Sequence, residues 1–142
     1  MYRLVVDTNV MVAAFRTDAD ASGAARALLR GAVMGRYRLL FGNALWQEYR
    51  DLLDRPVWTA ATSDRERRMA AATLAATSEW IDIYFRWRPN LPDEADNHLV
   101  ELAVAGNADA IVTYNVDDLR RGELRWPDLK ILTPAECLEQ LS

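Results

Sequence analysis

The chain has 142 residues, of which 51% are hydrophobic and 27% charged, and its net charge is −4. This composition predicts a single folded domain over residues 1–142 and excludes a disordered chain. No apolar run approaches the about 20 residues of a membrane-spanning helix, so we expect no association with a membrane. The negative net charge by itself gives no indication of nucleic-acid binding.

The single cysteine, Cys137, excludes an internal disulfide. Its spacing to Leu138 and Leu141 places all three side chains on one side of a short terminal helix, so we expect a buried thiol in a reducing cytoplasm. The first predicted strand begins at Arg3, and we therefore expect no signal peptide. Together these features predict a cytoplasmic location.

The first third of the chain alternates between strand and helix patterns. It predicts a strand at residues 3–6, a short helix at 10–15 and a polar loop at 17–22. A helix at 24–33, which ends near Gly35, and a second strand at 37–41 follow.

The alternation continues to the end of the chain. The third helix begins at residues 42–43 and is ended by Pro56, and the fourth begins with a capping box at Ser63 and runs to about residue 79. There follow an edge strand at residues 80–85, a helix at 94–105, and strands at 108–113 and 129–132. The last helix begins at residues 133–134 with a capping box and a proline. This order predicts an α/β fold in which helices cover both faces of a parallel sheet.

Two acidic residues in the first half of the chain occupy positions that suggest a site. Asp7 directly follows the first strand, where open α/β sheets bind their ligands, although capping of the next helix is a simpler role. Glu48 shares the helical spacing of Leu45, Tyr49 and Leu52, which should face the core. An unpaired inward carboxylate is unfavourable by several kcal/mol, so Glu48 needs a cationic partner unless it reaches water at the edge of the stripe.

Two further acidic positions lie in the second half. Asp96 shares a helix face with Leu99 and Val100, although a negative charge in the first turn is also favoured by the helix dipole. The strand 111–113 is followed by Asn115 and Asp117, which we expect to point toward the same cleft, although such residues are common in turns.

Four carboxylates in one cleft would repel one another unless a divalent cation held them. Mg²⁺ and Mn²⁺ prefer oxygen ligands, and such ions can activate water and stabilise the leaving oxygen in phosphodiester hydrolysis without a histidine base. The only histidine, His98, lies on the opposite side of its helix from Asp96, and we expect it to face solvent. The residues therefore predict a metal-dependent hydrolase that acts on nucleic acid.

Four segments of this sequence resemble the PIN-domain family, in order and spacing, from Arg3 to about Glu136. They are Val-Val-Asp-Thr-Asn-Val at residues 5–10, Trp-Gln-Glu-Tyr at 46–49, Asp-Asn at 96–97, and Ala-Asp-Ala-Ile-Val-Thr-Tyr-Asn-Val-Asp-Asp-Leu at 108–119. The start of the second helix at 22–26 and the segment 48–56 resemble the bacterial branch of VapC-like toxins of toxin–antitoxin systems.

This resemblance implies a three-layer α/β/α fold and a Mg²⁺- or Mn²⁺-dependent endoribonuclease. It implies that four acids bind metal and carry catalysis: Asp7, Glu48, Asp96 and Asp117. It also implies that Thr8 supports the first acid and that Asn9 shapes the site. Many members carry aspartate where this chain has Asn115. The resemblance then implies that Asn115 is a neutral metal ligand or a substrate contact. This departure affects the binding of a second metal ion more than the binding of the first.

The resemblance further implies a homodimer and a small antitoxin as partner. Arg120 and Arg121 follow the acidic turn, and we expect them to contact RNA phosphates. For the run containing Arg65, Arg67 and Arg68, a solvated helix face is the expectation. The tryptophans are expected in the core or at seams between helices, although they could anchor partner contacts: Trp46, Trp58, Trp80, Trp87 and Trp126.

Two other functions stay open. In the first, the chain is a non-catalytic PIN-like module that binds RNA or protein because its fourth acid is incomplete. In the second, Asp7 is the nucleophile of a phosphatase or a phosphoacceptor, which is disfavoured because Asn9 stands where such phosphatases carry a second aspartate and because Lys130 is the only lysine.

Overall fold

The structure is a computed structural model that describes residues 1–16, 23–58, 62–83, 97–120 and 128–141, and the backbone of 19–22. Within these residues it contains five strands and seven helices. The strands are β1 (Tyr2–Val6), β2 (Tyr37–Phe41), β3 (Glu79–Trp80), β4 (Ala110–Val112) and β5 (Lys130–Leu132). The helices are α1 (Thr8–Phe15), α2 (Ala19–Val33), α3 (Asn43–Leu53), α4 (Asp64–Thr77), α5 (Asn97–Ala105), α6 (Val116–Arg120) and α7 (Pro134–Gln140).

The strands form one parallel sheet in the order β3-β2-β1-β4-β5. Helices cover both of its faces, which confirms the predicted three-layer α/β/α architecture. The central strand β1 is almost completely buried over Leu4–Val6, as expected for a parallel strand covered on both faces.

The order of the strands creates a switch point beside β1. The chain builds the sheet outward from β1 to β2 and β3, and then crosses to the other side of β1 to add β4 and β5. Helices that follow β1 and β4 therefore leave in different directions, and a crevice opens at the carboxyl ends of these two strands. Asp7 and Thr113 directly follow β1 and β4, so both lie at this crevice.

Most of the predicted elements are confirmed, including both capping boxes. Ser63 and Glu66 exchange the two hydrogen bonds of a capping box, and so do Thr133 and Glu136. Cys137 is fully buried, as predicted, and burial raises the pKa of its thiol to about 11. None of the described helices is long and apolar enough to cross a membrane.

Two predicted loops contain helix. The polar loop expected at 17–22 is wrong from Ala19 onward, because α2 already begins there; alanine at 19 and 21 has high helix propensity. The turn expected at 114–118 contains the short helix α6, whose acidic first turn complements the helix dipole. β3 lies at the predicted edge of the sheet but contains only Glu79–Trp80, so the predicted strand 80–85 is wrong for residues 81–83. Residues 84–85 of that predicted strand and 94–96 of the predicted fifth helix fall outside the described residues.

The expectation of a solvated face for the arginines of α4 is wrong for Arg67. Its side chain is buried because Arg67, Ala71 and Leu74 form the inward stripe of the helix. The guanidinium lies 4.9 Å from the centre of the Trp58 ring and donates hydrogen bonds to Thr62. Arg65 and Arg68 are exposed, as expected.

The described tryptophans follow the expectation only in part. Trp46 and Trp58 are half-buried, as expected. Trp80 stacks on Phe41 but remains 46% exposed. Trp87 and Trp126 lie outside the described residues.

The close approach at Gly106 leads to a stability prediction. A Cβ on this buried residue would lie 2.7 Å from Leu40 Cδ1, 3.1 Å from Ile81 Cγ1 and 3.2 Å from the Leu102 carbonyl oxygen. We expect Gly106→Ala to lower the free energy of unfolding by about 1–3 kcal/mol, because the added methyl group overpacks the core. Urea denaturation measures this change.

Gly23→Ala is the matched control, because a Cβ at this exposed position on α2 meets nothing within 4 Å. We expect it to leave stability unchanged or to raise it by up to about 1 kcal/mol through helix propensity. A Gly106→Ala protein as stable as the parent would contradict the tight packing at the end of α5.

Candidate active site

The centre of the candidate site is the carboxylate of Asp7, which is only 5% exposed. Its backbone continues the sheet, since the Asp7 amide donates to the carbonyl of Val112 at 2.9 Å. Asp7 occupies the N-cap position of α1, but its side chain makes no capping hydrogen bond. The simpler role of helix capping is therefore wrong, and the buried charge needs another explanation.

Thr113 is the main support of this carboxylate. Its hydroxyl donates to Asp7 Oδ2 at 2.8 Å and accepts hydrogen bonds from Asn9 Nδ2 at 3.2 Å and from the Asn115 amide at 3.0 Å. One donor and two acceptor positions are all that a hydroxyl offers, so each is used. The sequence offered one signal for this role that was missed: a polar residue that ends the apolar run Ile111-Val112.

Asn9, in the first turn of α1, links this helix to the residues that follow β4. Its amide nitrogen donates to Thr113, and its Oδ1 accepts a hydrogen bond from the Tyr114 amide at 3.3 Å. Both ends of the side chain therefore contact the segment after β4. Asn9 therefore joins the start of α1 to the residues that follow β4.

Glu48 reaches the site from α3. Its Oε1 accepts a hydrogen bond of 2.7 Å from the Thr8 hydroxyl, which also lies 3.3 Å from Asp7 Oδ1. A hydroxyl has one proton, and the shorter distance shows that it is donated mainly to Glu48. The Thr8 hydroxyl therefore bonds more weakly to Asp7 than to Glu48.

His98 is not directed to solvent as the sequence predicted. Its side chain is 17% exposed, and Nε2 lies 2.7 Å from Glu48 Oε2. The prediction was wrong because the side of α5 that carries His98 packs against α3 and does not face water. His98 is thus a second site residue that the sequence pattern did not reveal.

The two carboxyl groups have opposite pKa shifts. Burial raises the pKa of Asp7, and the charge of Glu48 raises it further, while hydrogen bonds from Thr113 and Thr8 act in the other direction. Burial also raises the pKa of Glu48, but hydrogen bonds from His98 and Thr8 outweigh it, so the net shift is downward. The ionised Glu48 therefore lies beside an Asp7 whose own charge is unfavourable, and a cation would relieve both.

The other predicted site residues are placed less centrally. Asn115 and Asp117 are exposed at the start of α6, and the Arg120 guanidinium donates to the Ile131 carbonyl at 2.8 Å. Asp96 and Arg121 lie outside the described residues. The described part of the chain brings together Asp7 and Glu48, but within it no three acidic, histidine or cysteine side chains form a group able to hold a metal ion.

Comparisons with known proteins agree with this architecture. A family model described as PIN domain matches residues 3–117. A chain in the crystal structure of VapBC2 from Rickettsia felis, bound to a DNA fragment from their promoter, superimposes with a TM-score of 0.60. The match covers 91% of this chain and 96% of that chain at 15% sequence identity, which shows a common fold. No curated protein sequence matches the chain.

The raised pKa of Asp7 leads to a prediction about stability and pH. An acid whose pKa is higher in the folded than in the unfolded protein loses folding free energy as the pH rises through that interval. In EDTA at neutral pH, we therefore expect Asp7→Asn to be more stable than the parent protein. This advantage should shrink toward a pH of about 4, near the ordinary pKa of aspartate. Urea denaturation at both pH values measures the difference.

Asp51→Asn removes one negative charge at an exposed position of α3 and is the control for net charge. If Asp7→Asn were the less stable protein at neutral pH in EDTA, the hydrogen bonds to Asp7 would outweigh the cost of its burial. The interpretation that ionised Asp7 destabilises the folded protein would then be wrong.

Proposed function

The chain belongs to the PIN-domain family, and we propose that it is a Mg²⁺- or Mn²⁺-dependent endoribonuclease. The observation that carries this proposal is the convergence of two carboxylates, Asp7 and Glu48, on the Thr8 hydroxyl at the switch point of the sheet. Buried carboxylate oxygens whose negative charge is not balanced by positive charge fit a hard divalent cation.

We assign the metal to Asp7, Glu48, Asp96 and Asp117, with the first two as its inner contacts. When bound, a divalent ion neutralises phosphate charge and activates water for attack on phosphorus. Thr113 and Asn9 keep the Asp7 carboxylate fixed in the crevice, and Thr8 sets its spacing from Glu48. Such preorganisation lowers the reorganisation that the reaction requires.

The substrate contacts of the proposal lie on the α6 side of the crevice. The side-chain amide of the exposed Asn115 can contact RNA directly. Arg120 and Arg121 would bind phosphate groups as the strand leaves the site. In the structure the Arg120 guanidinium bonds to the carbonyl of Ile131, so binding of RNA by this residue requires the side chain to exchange that partner.

The proposal includes a place in a toxin–antitoxin pair. The structural neighbour from Rickettsia felis is VapBC2, bound to promoter DNA. We propose that this chain is the toxin of such a pair, that a small antitoxin blocks its site, and that it acts on RNA in the cytoplasm as a homodimer. Light scattering of the purified protein tests the dimer.

The direct test is cleavage of single-stranded RNA by the purified protein. We expect cleavage with Mg²⁺ or Mn²⁺ and none in EDTA. Asp7→Asn, Glu48→Gln and Asp96→Asn should each lower the rate by at least about a hundredfold, because each removes one negative ligand from the ion. Denaturing gel electrophoresis of a labelled RNA measures the rate.

Asp51→Asn is the surface control for these variants and should cleave at the parent rate. Circular dichroism tests whether each variant is folded. Full activity in EDTA, or full activity of folded Asp7→Asn, would contradict the proposed chemistry.

A second candidate function is a non-catalytic binding module. It is favoured by the neutral side chain of Asn115 and by the exposure of Asn115 and Asp117. Calorimetric titration separates the two functions: binding of Mn²⁺ supports the nuclease, and no binding at millimolar metal supports the module.

Growth in a bacterial host tests the toxin assignment. We expect expression of the parent chain to arrest growth and expression of Asp7→Asn to leave growth normal, because only the parent cleaves RNA. Co-expression of a short open reading frame encoded next to this chain should restore growth if it encodes the antitoxin. Equal growth with the parent and Asp7→Asn would contradict a toxin.

A further inference from the structure

Glu48 is held through both of its carboxylate oxygens by two different helices. Oε1 accepts from the hydroxyl of Thr8 at the start of α1, and Oε2 lies 2.7 Å from Nε2 of His98 in the first turn of α5. No assigned role of the site includes His98. The contact spans 50 positions of sequence, so it exists only in the folded chain.

The proton in the contact belongs to the imidazole. A glutamate side chain is ionised at neutral pH, and a carboxylate can only accept hydrogen bonds. Nε2 of His98 is therefore the donor. This assignment holds for the neutral imidazole protonated at Nε2 and for the imidazolium alike.

A glutamate needs such support at this position. Its side chain has three rotatable bonds, and that of Glu48 is 38% exposed, so packing alone does not define where its oxygens point. Hydrogen bonds from Thr8 and His98 fix both oxygens. Each carboxylate oxygen accepts more than one hydrogen bond or ligand, so each keeps an electron pair for a cation.

We propose that His98 is a positioning residue that presents the Glu48 carboxylate to the metal ion. This inference rests on the proposed function, because it assumes that Glu48 binds metal. Hydrogen-bond partners of metal ligands typically change metal affinity by about 10- to 100-fold when they are removed. In the opposite role, an imidazole that occupies the carboxylate would compete with the ion, and its removal would strengthen metal binding.

Calorimetric titration of Mn²⁺ into the full-length protein without RNA tests the role. We expect His98→Ala to bind Mn²⁺ at least about tenfold more weakly than the parent protein. His98→Gln should recover most of the affinity, because its amide nitrogen can reach the position of Nε2. His98→Asn is the matched control. Its side chain is one methylene group shorter than that of glutamine, so its amide does not reach Glu48, and we expect this variant to behave like His98→Ala.

Three results of this titration would overturn the inference, and they separate it from the proposed function. If the parent binds Mn²⁺ and His98→Ala binds it equally or more tightly, only the positioning role is wrong. If Asn and Gln at this position have equal affinities, a role through the hydrogen bond is wrong. If the parent binds no Mn²⁺ at millimolar concentration, both the inference and the proposed function are wrong.

A second measurement tests the contact without metal. The chain has one histidine, so labelling histidine with ¹⁵N gives the signals of a single imidazole. We expect the Nε2 signal to shift in Glu48→Gln, because the charged acceptor is removed, and to stay in place in the control Asp51→Asn. An unchanged Nε2 signal in folded Glu48→Gln would show that the contact is absent and would overturn the inference.

Discussion

The buried charge of Asp7 is the constraint on which the arrangement of the crevice depends. Parallel pairing of β1 with β4 continues one residue into the acid, since the Asp7 amide donates to the Val112 carbonyl. Pairing of β4 with β5 likewise continues to Thr113, whose amide donates to the Leu132 carbonyl. The backbone at Asp7 is therefore fixed by the sheet, and hydrogen bonds from the Thr113 and Thr8 hydroxyls orient its carboxylate. Burial without compensation would be unfavourable, so the neighbouring polar groups, Thr113 above all, are oriented toward it.

The same residues connect the site to the hydrophobic core. Tyr49, adjacent to Glu48 on α3, is completely buried and donates a hydrogen bond of 2.9 Å to the Val6 carbonyl. Its ring packs edge-on against Phe41 at 5.0 Å, so α3 is fixed against both β1 and β2. The pKa of the Tyr49 phenol is raised by burial and by the charges of Asp7 and Glu48, which keeps the phenol a donor. Core packing thus sets the backbone position of Glu48, and hydrogen bonds set the direction of its carboxylate.

The fold could largely be predicted from sequence because its signals are local. Apolar strands, capping boxes and breaks at glycine and proline gave the order of the elements, and strand ends located Asp7. Periodicity also placed Glu48 inward. Periodicity could not predict the contacts of Arg67 or His98, because it defines the faces of a helix and not what covers them. Arg67 lies against the Trp58 ring, and His98 lies against Glu48. Thr113 was missed because its role depends on the register between β1 and β4.

The distribution of charge in the crevice is asymmetric. On the α3 side, Glu48 is ionised and hydrogen-bonded, and Asp7 lies within reach of the same hydroxyl. On the α6 side, the position after Thr113 and Tyr114 holds the neutral Asn115, and Asp117 is exposed. Negative charge attracts cations most strongly where it is buried and least compensated. Under the proposed function, we therefore expect Asp7 and Glu48 to contribute more to the affinity for the ion than Asp117 does, and Asn115 to serve the substrate.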